Sequence, residues 1–460
     1  MQTKYNYRGK TLMKKMLAVL LSISMLLALC ACGGNSTQPT AAPTSAAPET
    51  EASSSVQKVE NVEIRFSWWG SEVRNNATLE AIAAYEAQNP GVKIIPEYTG
   101  YEGYQEKLYA QIAAGTAPDI FTSVTEWYSY LGDVGAMADM TGAFDMSGHS
   151  DAYIEACSYD GKVCGVSTSL NGYGIYVNTT LAKELDIEIP DVNDDYSWDD
   201  LAAIWAEVAE KSNGEICGVM DPRYAGWAME AFGYTYLSRP EPYMYSNNGL
   251  TIRAEDVTAF IDYFNNLPEG AVLPVDESFS ADIQTSAPVA NRRCLMAMDS
   301  TGTFAIVQSQ TEDELTLIPY PHGPNGESAN CARPGLIQNV YSGSQNKEAA
   351  FKFLDWFTNS EEAAIILGTC RGVLPTEVQR EALMASGNVS RNDMVVINVI
   401  DAINKDTNMH TFLSGPIGID EARMDIFEDV VTECLYGYID STEAGLKYME
   451  MAQQALDSYK

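Results

Sequence analysis

Between residues 62 and 124 the apolar residues change their spacing from every second position to a helical period and back, twice over. In "VEIRFSWWG" the residues Val62, Ile64, Phe66 and Trp68 share one parity, as a half-buried strand requires, and Trp69 faces the other way. After Gly70, Leu79, Ile82 and Tyr85 recur at helical spacing beside Ala83 until "NPG" at 89–91 stops the pattern. The strand "VKIIPEY", the helix "GYQEKLYAQIAAG" closed by Gly115 and the short apolar segment "PDIFTSV" follow. Strand, helix, strand, helix, strand predicts a parallel α/β sheet. Ligands of such sheets bind beyond the carboxyl ends of the strands, where Trp69 falls. Trp68 is therefore expected to anchor the core, and Trp69 to offer its ring at the sheet's upper edge.

The stretch before this strand must be set aside. "MQTKYNYRGKTLMKK" holds five cations and no acid, and an apolar run from Met16 to Leu29 leads into "LCACGG". A basic start, an apolar run too short to span comfortably and small residues after it read as an export signal over residues 1–31. Leu29, Cys30, Ala31 and Cys32 followed by Gly33 resemble the bacterial lipoprotein lipobox, which implies cleavage before Cys32 and acylation of that residue. Cys30 fits less well, because Leu29 would stand where a small residue is wanted; a plain secretory signal with an incidental Cys32 is the alternative. Residues 32–61 are rich in Pro, Ala, Ser and Thr with almost nothing to bury, and read as a lipid-anchored disordered linker. The expected location is the outer face of the cell membrane, with the lipid as the sole membrane attachment.

About 400 residues then remain, more than one core usually covers, so two lobes are expected. Five of the 28 cations leave with the signal, so 23 face 63 acids, a formal charge of −40. Such a surface repels nucleic acid and anionic lipid and favours neutral or cationic ligands, without forbidding a local site for an acidic one. Seven cysteines follow Cys32. Cys157 and Cys164 flank "SYDGKV", where an Asp160-Gly161 turn would set them opposite each other, as a disulfide or as a reduced pair. His149, His322 and His410 stand far apart in no metal-ligand spacing. "DVNDDYSWDD" starts like a calcium loop, but Tyr196 occupies the glycine position and Ala202 the final acidic one. No Gly-x-Ser-x-Gly elbow or phosphate-cradling loop occurs, and no cofactor is expected.

The run "WWGSEVR", then "AIAAYEAQNPGVKI", then "YQEKLYAQIAAGTAPDIF" resembles the extracellular solute-binding proteins, family 1, of bacterial ABC importers, the branch that takes up oligosaccharides. "YDGKVCGVSTSLNGYGIYVNTTLAKELDIEIP", "YSWDDLAAIWAEVAE", "NRRCLMAMDSTGTF", "IQNVYSGSQNKEAAFKFLDWFTNSEEAA" and the closing "MDIFEDVVTECLYGYIDSTEAGLKYMEMAQQAL" follow in that family's order, over residues 62–458. The resemblance implies an α/β, two-lobed, periplasmic-binding-protein-like (type II) fold with a hinge and an interlobe ligand cleft. It implies lobes at 62–166 plus 338–378 and at 167–337 plus 379–460, with crossings near 166–171, 333–337 and 375–380. It further implies a monomer that carries a carbohydrate to the transmembrane subunits of an ABC permease. Ser167 departs from the pattern, standing where many relatives have proline.

Sugar rings present apolar C–H faces and a rim of hydroxyls, so their sites combine aromatic plates with hydrogen-bonding groups at the edges. Trp69 and Trp127 are candidate plates by strand-end and loop position. Trp227 lies where the family carries a stacking aromatic, and Asn171 at the first crossing where it often places a polar contact. Arg74 could grip hydroxyls or a carboxylate in a fork. Asp299 could accept hydroxyl hydrogens, Arg333 borders the second crossing, and Tyr104 either touches ligand or only packs. Trp205 and Trp356 are assigned to packing, Trp198 to a helix start and Asp119 to backbone capping. A receptor of the same fold for a polyamine, metal or amino compound and an extracellular carbohydrate-active enzyme are the rival readings.

Overall fold

The computed structural model describes residues 61–458 apart from 240–243, 247–248, 282, 284, 407 and 409–418. Cys30, Cys32, the linker and His410 lie outside the described residues. The chain begins with β1 (Val62–Trp69), α1 (Glu72–Gln88), β2 (Val92–Thr99), α2 (Tyr104–Ala113) and β3 (Ile120–Ser123). It continues through β4 (Val166–Ser167), β5 (Leu170–Asn171), β6 (Tyr173–Asn178), α3 (Trp198–Lys211), β7 (Cys217–Val219) and α4 (Gly226–Thr235). Then come α5 (Ala254–Asn265), β8 (Cys294–Ser300), β9 (Leu315–Ile318), β10 (Arg333–Pro334), β11 (Ile337–Val340), α6 (Lys347–Asn359) and α7 (Glu361–Leu367). Local chemistry sets the helix starts. Ser71 caps α1 by accepting the Arg74 N–H, and Ser197 with Asp200 forms a capping box that places Trp198 at the head of α3.

Two sheets organise these elements. The first has the order β2-β1-β3-β11-β4 and the second β9-β6-β8-β7. β1 runs parallel to β2 and β3, as the strand-helix alternation predicts, but β11 is antiparallel to β3 and β4 antiparallel to β11. The expected all-parallel sheet is therefore mixed. The reason is connectivity: β11 arrives from the other sheet through a crossing segment, and only a helical crossover back into the same sheet imposes the parallel sense. In the second sheet β6 is antiparallel to β8 and β9, while β8 and β7 are parallel.

Each sheet has its own core. Ile64, Phe66 and Trp68 pack with Phe353, Phe357 and Leu354 of α6, and Phe66 meets Phe353 and Phe357 edge-on at 5.7 Å. Under the second sheet, Trp198, Trp205, Phe232, Phe260 and Phe264 form the aromatic centre. The parity of β1 decides the rest: Trp68 is fully buried in the first core, and Trp69 sits in a separate cluster with Tyr104, Leu108, Phe121 and Trp127.

The crossing segments are bonded to one another. β5 pairs antiparallel with β10, setting Asn171 opposite Arg333, and Leu170 exchanges both backbone hydrogen bonds with Val373 at 2.6 and 3.0 Å. The buried Ser167 uses its backbone here. Its N–H donates to the Tyr153 hydroxyl at 2.6 Å, and that hydroxyl donates to the Ser167 carbonyl at 2.8 Å. Its Oγ lies 2.8 and 2.9 Å from the carbonyls of Ser169 and Leu336, linking the first passage to the second. Nearby, Asp160 and Gly161 form the tight turn at φ 50° and 72°, and Cys157 and Cys164 are free thiols.

Candidate functional site

At the carboxyl end of the first sheet the side chains are aromatic. Trp69, the last residue of β1, packs against Tyr104 at 4.9 Å, Trp127 at 5.4 Å and Tyr101 at 5.5 Å between ring centroids. Trp127 ends the single helical turn Thr125–Trp127 that follows β3. Both residues are buried, with 7% and 6% of their surface exposed. Tyr104, one of the candidate contacts, is turned inward. It is 2% exposed and its hydroxyl is used twice, donating to the Ser67 carbonyl and accepting the Thr122 N–H, each at 3.1 Å. It braces the two indoles from behind, because the start of α2 points its side chain at the sheet. Asp119 accepts the Arg65 N–H at 2.9 Å and the Ser344 hydroxyl at 2.5 Å, the capping role read from sequence.

Arg74 lies beside Trp69, on the first turns of α1. Its Nε donates to the Cys370 carbonyl at 3.1 Å and its Nη1 to the Trp69 carbonyl at 3.3 Å. Next to it is Arg371, a residue the sequence reading passed over. Arg371 is 4% exposed, lies 5.4 Å over the Phe357 ring, and donates from Nη2 to the Thr78 hydroxyl at 2.7 Å. Burial, to which the neighbouring Arg74 charge adds, pulls the Arg371 guanidinium down to about 10.

The second sheet supplies a matching group. Tyr173 opens β6 and stacks on Trp227 with centroids 4.8 Å apart and planes 13° from parallel. Trp227 is held at the start of α4 by Gly226, where a Cβ would come 1.8 Å from the Arg423 carbonyl oxygen. Tyr224 stands edge-on to Trp227 at 6.4 Å. Asp299, opposite Gly174 in the β8–β6 pair, borders a cavity of about 310 Å³ lined also by Tyr224, Phe279 and Glu428. Burial raises the Asp299 carboxyl to about 6.

Arg333 joins the two groups. Its Nη1 meets Glu126 at 2.7 Å, its Nη2 lies 3.3 Å from the Tyr173 hydroxyl, and its guanidinium sits 5.3 Å over the Tyr173 ring. Glu126 is the sequence neighbour of Trp127, so contacts run unbroken from the Trp69–Trp127 pair through Glu126 and Arg333 to Tyr173 and Trp227. Asn171, paired with Arg333, is enclosed by glycines. A Cβ on Gly335 would lie 2.5 Å from its Nδ2, and one on Gly372 2.6 Å from its Oδ1, and that Oδ1 has no hydrogen-bond partner among the described residues.

The structure thus brings Trp69, Trp127, Arg333, Asn171, Trp227 and Asp299 to one seam between the sheets, places Arg74 at its first-sheet end, and puts Tyr104 behind it. Glu126, Tyr173 and Arg371 are additions. Tyr173 stood in the quoted "NGYGIYVN" stretch and Glu126 beside a flagged tryptophan, whereas nothing local marks Arg371. Of the rest, Trp205 is fully buried, Trp356 packs against Tyr85 at 5.4 Å, and Trp198 heads its helix. His322 lies between Asp195 and Asp406 at 3.2 and 3.1 Å, and His149 stacks on Tyr153 at 4.2 Å, both away from the seam. Among the described residues no group of three or more His, Cys, Asp or Glu is placed to hold a metal, and no helix is long and apolar enough to cross a membrane.

Two α/β lobes joined by bonded crossings, with aromatic rings and polar groups along the seam, define a two-lobed solute binder of the periplasmic-binding-protein type. The family model described as bacterial extracellular solute-binding protein matches residues 69–364, and the chain belongs to that family. A multiple sugar-binding protein of Streptococcus mutans is 21% identical over 318 residues, 65% of this chain and 71% of that protein. An extracellular solute-binding protein family 1 member from Alicyclobacillus acidocaldarius superposes with a TM-score of 0.72 at 22% identity, covering 86% of this chain and 99% of its own. A periplasmic oligogalacturonide binding protein from Yersinia enterocolitica, in complex with saturated digalacturonic acid, gives 0.70 at 20% identity, covering 86% and 99%.

Proposed function

We propose that this chain is the lipid-anchored receptor of an ABC importer, capturing a carbohydrate, an oligosaccharide, in the seam between its lobes and handing it to the membrane permease. In this reading residues 62–166 with 338–378 and residues 167–337 with 379–460 move as the two lobes, a single copy acts alone, and Cys32 carries the lipid. The observation that carries the reading is the unbroken line from Trp69 and Trp127 through Glu126 and Arg333 to Tyr173 and Trp227. Ring faces receive the apolar side of a pyranose, and carboxylates, guanidinium and amide along the same line answer its hydroxyls. Micromolar capture needs about 8 kcal/mol net; the half-buried Trp227 and hydrogen bonds to the sugar hydroxyls contribute to it directly, while Trp69 and Trp127, at 7% and 6% exposed, add only the small area that they still present. Capture of this kind needs no bond to be made or broken. A polyamine would bring like charge against Arg74, Arg371 and Arg333, which disfavours the cationic alternative.

Calorimetric titration of the full chain with a panel of oligosaccharides and with spermidine tests this. Saturable binding of a glycan that is recovered chemically unchanged is the expected result. Binding of spermidine alone, or accumulation of cleaved glycan, would overturn it.

A further inference from the structure

The chain holds 28 cations among 63 acids, so nearly every guanidinium has a carboxylate within reach. Arg65 is paired with Glu97, Arg223 with Asp221, Arg292 with Asp313, Arg333 with Glu126 and Arg380 with Asp401. Arg74 and Arg371 break the pattern. The hydrogen bonds of Arg74 go to the carbonyl oxygens of Cys370 and Trp69, and the one bond of Arg371 goes to the Thr78 hydroxyl. Arg371 Nε and Nη1 are buried and have no partner among the described residues. Two adjacent cations without a counter-ion among the described residues, one of them almost wholly out of water, are costly to keep, and a neutral side chain would fill the same space more cheaply. Their position gives the cost a use. Arg74 is half-buried and holds the carbonyl of Trp69, itself one of the candidate plates, at the amino end of the 17-residue helix α1, whose first amides favour negative charge.

We infer that the first lobe carries a site for a carboxylate of the bound glycan, with Arg74 as the contacting fork and Arg371 as the charge beneath it, so that the solute is a uronic-acid-containing oligosaccharide. The inference rests on the carbohydrate reading above and narrows it. A planar guanidinium matches a carboxylate in two parallel N–H···O bonds, and a second cation behind it strengthens those bonds where water is excluded. The overall negative charge of the chain does not oppose this at contact. Exposed charges more than about 8 Å away are largely screened at physiological salt, while partly buried groups in contact are not.

The test is calorimetry of the full chain with a digalacturonate, its dimethyl ester and the neutral galactose disaccharide of the same linkage. The wild-type chain is expected to bind the acid about ten-fold or more tightly than the ester. Arg74→Gln should bring that ratio close to one, and Arg74→Lys, which keeps the charge and loses the fork, should restore part of it. Arg371→Gln should lower the ratio in the same direction, with a thermal melt confirming that the variant folds. Equal affinity for acid and ester in the wild-type chain, or an undiminished preference in Arg74→Gln, would overturn the carboxylate site and leave the carbohydrate reading intact. Saturable binding of a neutral glycan from the oligosaccharide panel, with none of these three bound, would likewise overturn the carboxylate site and leave the carbohydrate reading intact.

Discussion

Trp68 and Trp69 are covalent neighbours with opposite surroundings, and one step of strand parity makes the difference. Trp68 donates its indole N–H to Asn75 at 2.8 Å inside the first core, and Trp69 joins the aromatic seam. Replacing Trp68 with alanine should cost about 3 to 5 kcal/mol of stability in a urea titration. Trp227→Ala, at a half-buried plate stacked on Tyr173, should cost about 1 to 2 kcal/mol of stability, less than Trp68→Ala, and weaken glycan binding by about 1 to 3 kcal/mol in calorimetry. Asp299 gives a pH signature. Its carboxyl is raised to about 6 in the folded chain, so the folded state takes up its proton more readily than the unfolded state. The ionised form therefore destabilises the fold increasingly as pH rises from about 4 to 6, by about 3 kcal/mol. Asp299→Asn should be more stable than the wild-type chain at pH 7 and should lose that advantage near pH 4, read from melts at the two pH values. At this scale the sequence exposed what parity and local spacing encode. Arg371, Glu126 and Tyr173 stayed hidden because their partners are remote, Arg333 lying 207 residues from Glu126.

The elements that place these residues divide by how local their causes are. β1, α1, β2, α2 and β3 were legible because each buries one face and so shows its period, and because Gly115 and Asn89 mark helix ends. The sense of β11 and β4 was not, since strand direction there follows from the crossings and not from any side-chain pattern. Those crossings are short and glycine-dependent. Gly372 has φ 129° and abuts Asn171 Oδ1 and the Leu170 carbonyl, so Gly372→Ala should lose about 1 to 3 kcal/mol in a denaturant melt through strain and collision together. Ser167→Pro removes the N–H that donates to the Tyr153 hydroxyl and should destabilise this chain in a denaturant melt.

Over the whole molecule the proposed function makes the seam a clamp. The Trp69–Trp127 pair stands at the first sheet and the Tyr173–Trp227 pair at the second, the crossing segments are hydrogen-bonded to one another, and the Glu126–Arg333 contact joins the two groups. A ligand can shift such a clamp only by its differential affinity for the closed form, about 5.5 kcal/mol to move a 1:99 balance to 99:1. Plates and charges from both lobes contribute that difference only when both touch the same glycan. Small-angle scattering of the full chain with and without a saturating oligosaccharide, binding having been established by calorimetry, reads this directly. Closure on the solute predicts a smaller radius of gyration for the saturated protein. An unchanged radius at saturation would contradict closure of the lobes on the solute.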